Sequence, residues 1–278
     1  MENSDIITLF IAIVAARKLP CRFALLQRGT FKNAAFSCSS MKIMRKTLSI
    51  IMPVYNEKST VVEAIEHTKK VDIGNYNMEI IVVDDGSTDG SAELIRKISG
   101  VKKVLLPQNR GKGAALREGI KSGTGDYVVF HDADLEYEPA DFRYMLPLME
   151  SGLVDVVIGS RFVGRAQYLF GNRKNVIFTN YVGNMVIKWV WNFLYHHNLT
   201  DVYPCYKLMR LSDLKELTIK ADRFIFDLEM MLKLKKKGKV FIEVPIHFKY
   251  RGYKEGKKIG MSVGFQSIWY MLKYRFFD

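Results

Sequence analysis

Between Leu48 and Gly159, short and continuously apolar runs alternate with amphipathic stretches. Leu48-Ser-Ile-Ile-Met-Pro-Val54 reads as a strand, and Thr60-Val-Val-Glu63 as a capping box opening a helix to about Lys70. Glu79 to Asp84 predicts a second strand and Ser91 to Ile98 a second helix; Val101 to Leu106, then Gly113 to Lys121, repeat the unit. Asp126 to His131 predicts a fourth strand, a helix follows from about Ala140 to Glu150, and Val154 to Gly159 closes the series. Strands that are apolar on both faces and alternate with helices imply a mostly parallel sheet covered on both sides by helices.

Such sheets bind ligands beyond the carboxyl ends of their strands. Four polar clusters fall there: Tyr55-Asn56-Glu57, Asp84-Asp85-Gly86-Ser87, Gln108-Asn109-Arg110-Gly111-Lys112 and Asp132-Ala-Asp-Leu-Glu136. Residues 160–278 read differently, as long helices and one strand, Val240 to Tyr250. From Asn175 to His196, Asn180, Asn184, Lys188 and Asn192 line a narrow polar stripe on a strongly apolar helix. Those polar residues weaken a transmembrane reading, leaving the apolar face to pack on the sheet or to lie in a membrane interface. Phe265 to Phe277 predicts a last helix, with Trp269, Tyr270, Tyr274, Phe276 and Phe277 beside Lys273 and Arg275. That mixture suits either an aromatic core stripe or a lipid headgroup layer.

With 278 residues and 48% apolar content, the chain suits one large α/β domain or one domain with appendages, and excludes intrinsic disorder. Its net charge of +13 gathers at the ends: residues 231–278 hold 12 Lys or Arg against 3 acids, and residues 1–46 hold 8 against 2. A near-neutral body with basic ends points to phosphate groups or an anionic membrane surface, with a merely solvated lysine-rich surface as the plainer reading. No zinc-finger spacing, basic leucine zipper or RNP-type strand supports a nucleic-acid partner. Cys21, Cys38 and Cys205 form no Cys-x-x-Cys, which favours a reducing compartment. Ile6 to Ala16 is too short to span a bilayer, which needs roughly 20 residues. Residues 1–46 are expected to be an appendage, either a targeting segment or a stretch ahead of a true start at Met41 or Met44. Residues 47–260 would be the catalytic domain and 261–278 an amphipathic helix.

Asp132 and Asp134 stand two apart just after a buried strand, so in extended geometry both carboxylates reach one cation. Hard oxygen ligands suit Mg²⁺ or Mn²⁺, usually together with substrate phosphates. Glu136 continues the alternation, as a third ligand or to orient a metal-bound water. Asp84 and Asp85 at a strand end either make a turn or accept hydrogen bonds from a base or ribose, with Gly86 allowing close approach. The Asn109-Arg-Gly-Lys-Gly113 loop is no Walker A motif, having Leu106 and Gly113 where that pattern needs glycine and Ser or Thr. Its helix-start amides and Lys112 remain candidates for holding a nucleotide anion.

Ile51-Met-Pro-Val-Tyr-Asn-Glu57, Val82-Val-Asp-Asp-Gly-Ser-Thr-Asp89, Asn109-Arg-Gly-Lys-Gly-Ala-Ala-Leu-Arg117 and Asp132-Ala-Asp-Leu-Glu136 together resemble family 2 glycosyltransferases of the GT-A fold. Gly159-Ser-Arg-Phe162, Cys205-Tyr-Lys207 and Tyr250-Arg-Gly-Tyr-Lys-Glu-Gly-Lys-Lys-Ile259 resemble its branch of dolichyl-phosphate mannose synthases and bacterial polyprenyl-phosphate sugar transferases. The resemblance spans about residues 47–275. It implies a nucleotide-sugar donor, UDP- or GDP-linked, and a polyprenyl-phosphate acceptor, with inversion at the sugar carbon. Pro53, Tyr55, Glu57 and Asp85 would line the nucleotide pocket, and Asp132 and Asp134 would hold metal and diphosphate. Arg161 would meet the acceptor phosphate bidentately, and Arg251, Lys257 and Lys258 would embrace the donor phosphates. Glu136 departs from the Gln common in mannose synthases, and the spacing from Arg251 to Lys257 is longer. The resemblance also implies a peripheral place on the cytoplasmic face of a membrane, with a small membrane-protein subunit as a further candidate partner. Transfer to a saccharide hydroxyl is the main alternative and would need a carboxylate base, for which Asp227 and Glu229 are candidates. A nucleotidyltransferase and a non-catalytic nucleotide-sugar binder are the remaining alternatives.

Overall fold

The computed structural model describes residues 45–163, 178–249 and 261–277. The expectations for residues 1–44, and for Arg251, Lys257 and Lys258, fall outside the described residues. Along the chain run β1 (Thr47–Val54), α1 (Val61–Lys70), β2 (Asn77–Asp84), α2 (Ser91–Lys97), β3 (Lys102–Leu105), α3 (Lys112–Ser122) and β4 (Tyr127–Phe130). A 3₁₀ turn at Pro139–Asp141 leads into α4 (Phe142–Glu150), then β5 (Val156–Ser160) and α5 (Phe178–Tyr195). The rest comprises β6 (Lys207–Arg210), α6 (Leu211–Lys215), α7 (Ile225–Lys236), β7 (Phe241–Pro245) and α8 (Met261–Phe276).

The strands form one sheet in the order β3-β2-β1-β4-β6-β5-β7, parallel except for β6, which runs against both of its neighbours. In the middle, Ile50 lies opposite Ile80 on one side and Val129 on the other, all of them buried. Burial on both faces is what the unbroken apolar runs require, because a strand with helices on both sides exposes neither row of side chains. All the parallel strands therefore end at one edge, and the four polar clusters follow from it.

Several local expectations need correction. Thr60 makes no capping box: its hydroxyl donates to the Glu57 carbonyl (3.4 Å) and carboxylate (3.1 Å), and no side chain caps α1. The strand expected over Val240 to Tyr250 stops at Pro245, with one isolated bridge from Phe248 to Tyr137. Strand β6 and helices α6 and α7 add to the long helices and single strand expected there. Strand β6 has four residues and opens on a lysine, so neither length nor pattern announces it.

Helix α5 buries one part of its apolar surface and exposes another. Ile187, Trp191 and Leu194 face the core, whereas Met185, Val186, Trp189 and Phe193 are exposed. Asn192 closes the loop after the helix, donating to the Leu199 carbonyl and accepting from its amide, both at 2.9 Å. Helix α8 packs on α5 and α7, buries Ser267 and Met271, and leaves Phe265, Trp269 and Phe276 exposed, with Phe277 exposed just beyond it. Among the described residues no helix is long and apolar enough to cross a membrane.

Candidate active site

The strand-end clusters are joined in series by hydrogen bonds between side chains and main chain. After β1, the Asn56 amide donates to Ser87 Oγ (3.0 Å), and Asn56 Oδ1 accepts from the Thr88 amide (2.9 Å). The Glu57 amide donates to Ser91 Oγ and the Lys58 amide to Asp89 Oδ2, each at 3.0 Å. After β2, Asp85 Oδ1 accepts from the Arg110 amide (2.8 Å), and Oδ2 from the Gly111 amide (2.8 Å) and Asn109 Nδ2 (3.0 Å). Burial pushes the Asp85 carboxyl above its ordinary range against the pull of those amides. Lys112, the first residue of α3, spans both oxygens of Asp132 at 2.6 and 2.8 Å. Asn56 accepts a left-handed backbone (φ 56°) to make its turn, a conformation asparagine tolerates better than most residues.

This wiring revises two expectations. Gly86 (φ +69°) serves the protein's own chain, since a Cβ there would lie 2.4 Å from the Gln108 carbonyl carbon. Three of the amides around the start of α3 are engaged within the protein: Asp85 takes Arg110 and Gly111, and the Asp222 carbonyl takes Ala114 at 3.1 Å. Gly111 (φ +96°) lies so close to Asp222 that a Cβ would meet its carbonyl oxygen at 2.4 Å.

Asp132 and Asp134 do not continue β4 in extended form. The strand ends at Phe130, and the chain turns through Ala133 and Asp134 into Leu135, a leucine held at φ +60°. Asp134 Oδ1 accepts from the Glu136 amide at 3.1 Å. The expected alternation of Asp132, Asp134 and Glu136 is therefore replaced by a turn, and Glu136 is tied through its carbonyl to the Lys249 amide at 2.8 Å. Among the described residues no group of three His, Cys, Asp or Glu is gathered as for a metal. The donor set still fits a small hard cation: Mg²⁺-type sites commonly use one or two carboxylates and draw the rest from substrate phosphates and water.

Behind Asp132 lies a buried polar group. Burial pushes the Asp132 carboxyl up, but the Lys112 ammonium and the Cys205 thiol outweigh it and hold the pKa below the ordinary range. His131 hydrogen-bonds Tyr206 at 2.9 Å, and burial holds its imidazole down to about 4, hence neutral near pH 7. Lys207, fully buried, donates to the Pro204 carbonyl and stands 3.7 Å from Asp227 Oδ1. That oxygen is buried without a hydrogen-bond partner. Asp227 therefore faces a lysine rather than standing as an isolated base. Glu229 is committed elsewhere, accepting from the Lys220 and Ala221 amides, Tyr274 and Lys233, at 2.7 to 3.1 Å. That corrects the expectation of Glu229 as a base: it fastens the loop lying against the start of α3.

Arg161 is likewise pinned. Its Nε and Nη2 grip Asp201 at 2.7 and 2.9 Å, and its guanidinium lies over Phe162 and Phe248 at 5.5 and 5.3 Å. Asp201, itself placed by Glu243 through its amide at 2.9 Å, thus takes one bidentate edge of the guanidinium, that of Nε and Nη2. Pro53 and Glu57 are half-buried at the end of β1, with Tyr55 exposed between them. Asp84 is buried, with Oδ2 accepting from the Ser87 amide at 3.1 Å and Oδ1 without a hydrogen-bond partner. Sequence reasoning missed Asp201, Asp227's partner Lys207, and Tyr137, whose hydroxyl accepts from the Cys205 amide at 2.9 Å. Only the ion pairs, made across 40 and 20 residues, reveal the first two.

Residues 49–218 match the family described as Glycosyl transferase family 2. Glycosyltransferase AglJ of Haloferax volcanii is 30% identical over 190 residues, covering 68% of this chain and 58% of its own. The undecaprenyl-phosphate 4-deoxy-4-formamido-L-arabinose transferase of Pseudomonas savastanoi pv. phaseolicola is 38% identical over 118 residues, 40% of this chain and 35% of its own. The chain thus spans less than two thirds of either relative. Glucosyl-3-phosphoglycerate synthase from Mycobacterium tuberculosis, solved with Mn²⁺, UDP and glucosyl-3-phosphoglycerate, shares the fold with a TM-score of 0.59 at 19% identity, over 83% of this chain and 80% of that one. A seven-stranded GT-A sheet, the motifs on its carboxyl edge and the matched span make this chain a family 2 glycosyltransferase.

Proposed function

We propose that the enzyme transfers a hexose from UDP- or GDP-sugar to a polyprenyl phosphate at a membrane surface, with inversion at the sugar carbon. Pro53, Tyr55, Glu57, Asp84 and Asp85 line the nucleoside pocket, and Lys112, Arg251, Lys257 and Lys258 attend the phosphates. Asp132 and Asp134 hold Mg²⁺ or Mn²⁺, with Glu136 as a third ligand or orienting its water. The cation, when bound, stabilises negative charge on the departing nucleoside diphosphate. A fold neighbour that binds Mn²⁺ and UDP supports this choice. Arg161, made rigid by Asp201, orients the acceptor phosphate. That phosphate is ionised near neutral pH and attacks without a general base. A saccharide hydroxyl would need one, and both carboxylates considered for that task already have basic partners.

The observation that carries the lipid acceptor is the exposed surface of α5 and α8. Trp189 (67% exposed), Phe193 (65%), Phe265 (77%) and Phe276 (65%) lie open to solvent on two helices that pack together, which also carry Lys188, Lys273 and Arg275. Aromatic and basic side chains together match the headgroup layer of an anionic leaflet. A relative named for an undecaprenyl-phosphate substrate points the same way. The test is a panel of radiolabelled nucleotide sugars with a polyprenyl phosphate and Mg²⁺ or Mn²⁺. The expected result is label entering the organic phase as nucleoside diphosphate is released. Label confined to water across the panel, with the protein folded, would overturn the lipid assignment.

A further inference from the structure

We infer that Lys112 is a resident counter-ion that keeps a divalent cation off Asp132 until a nucleotide diphosphate arrives, so that cation uptake depends on donor. This rests on the proposed reading of Asp132 and Asp134 as the metal-holding pair.

The geometry is chelate-like, one ammonium against both oxygens of a single carboxylate at 2.6 and 2.8 Å. A cation bound to either oxygen would sit only about 2 Å from it, close enough to Lys112 for strong repulsion in a partly buried place. Nor can the lysine be drawn away by its backbone. Asp85 pins the Gly111 amide, the Asp222 carbonyl pins Ala114, and a Cβ on Gly113 would collide with Phe226 and the Ala221 carbonyl at 2.7 Å. Only the flexible side chain is able to move, and it moves if offered a better anion.

Charge balance says which anion. Lys112 and Lys207 offset Asp132 and Asp227, leaving Asp134 and Glu136 to make the set doubly negative. A divalent cation alone would cancel that charge only by displacing Lys112 from its carboxylate, whereas a cation arriving with a diphosphate brings a new anion with it. The diphosphate also gives the displaced ammonium a partner. Lys112 thereby acts as a positioning residue that orders the binding of metal and donor.

Mn²⁺ binding to the full chain, followed by electron paramagnetic resonance with and without UDP or GDP, tests this. Wild-type protein should bind Mn²⁺ weakly alone and at least about tenfold more tightly with nucleotide; by linkage, Mn²⁺ should raise nucleotide affinity by the same factor. Lys112→Met should tighten binding of Mn²⁺ alone by about tenfold and shrink the nucleotide effect, and adding Asp132→Asn should reverse the gain. Lys112→Arg, which keeps the charge, should keep the donor dependence and covers a failure of the methionine variant to fold. Unchanged Mn²⁺ affinity in folded Lys112→Met, or lost donor dependence in Lys112→Arg, would overturn the inference while leaving the metal site standing. If wild-type protein with nucleotide binds no Mn²⁺ in an Asp134-dependent way, the metal-site reading falls, and this inference with it.

Discussion

The two ends of the sheet are built on different principles. From β1 to β4, each strand runs into a helix or a 3₁₀ turn; the polar residues after β1 and β2 bond to main chain of the next cluster, and Lys112 after β3 pairs with Asp132. From β5 onward, the chain inserts an antiparallel strand and holds its polar residues by ion pairs between distant segments, Arg161 with Asp201 and Lys207 with Asp227. Its outer helices leave aromatic rings exposed. The first region is a local design whose shape follows from turn chemistry, and the second depends on charges meeting only once the chain has folded. Under the proposed function, the donor would meet the first region and the acceptor the second.

The sharpest way to break this comparison is at Asp134. Asp134→Ala should lower kcat by about a thousandfold, the scale of losing a main electrostatic stabiliser, while the thermal midpoint stays near wild type. Undiminished turnover would remove the donor edge from the chemistry. Next comes Glu229→Ala, which leaves loop 220–221 and Lys233 unpaired. Breaking such a buried pair should cost about 3 kcal/mol in urea unfolding, with any loss of activity explained by the unfolded fraction; a stable but inactive variant would return Glu229 to the candidate bases.

Arg161→Ala separates the two regions directly. Acceptor KM should rise about tenfold, as for a lost charge-assisted contact, with donor KM unchanged. The paired Arg161→Ala, Asp201→Asn variant should recover stability but not acceptor KM; recovery of both would make Arg161 purely structural. Replacing Trp189 and Trp269 by Ala should weaken sedimentation with anionic vesicles by about tenfold, removing two interfacial rings, while leaving donor binding intact. Equal vesicle binding would place the lipid-facing surface elsewhere.

The smallest expected effect is one of pH. Burial pushes Glu229 up, but Lys233, the loop amides and Tyr274 outweigh it and hold its pKa below the ordinary value. Its contribution is therefore complete above the unfolded carboxylate pKa, and it declines as pH falls from there through the lower, folded value. Unfolding free energy should fall with acidification across that window, and the slope should be shallower in Glu229→Gln. Equal slopes would mean that the carboxylate does not report the loop.

Most of the first region was legible because its signals are local. Apolar runs marked β1 to β5, and clusters such as Asp84-Asp85-Gly86-Ser87 stood at strand ends where ligands collect. The error there concerned what the clusters bind: Gly86 and the amides at Arg110 and Gly111 serve neighbouring loops. The extended reading of Asp132 to Glu136 failed because a left-handed Leu135 is a tertiary demand with no residue preference behind it. In the second region, Lys207 in a four-residue strand disguised β6, and nothing in sequence pairs a buried lysine with a carboxylate 20 positions away.

Asp85 carries a consequence for exchange with solvent. Both of its oxygens accept from the chain ahead of α3, so the Arg110 and Gly111 amides, though set in a surface loop, are shut away from water as long as β2 keeps that carboxylate in place. Their deuterium uptake should follow the opening of the sheet edge rather than the breathing of the loop. An asparagine would turn one acceptor into a donor facing an amide hydrogen. A change of a single atom in one side chain would then set the two strand ends moving independently.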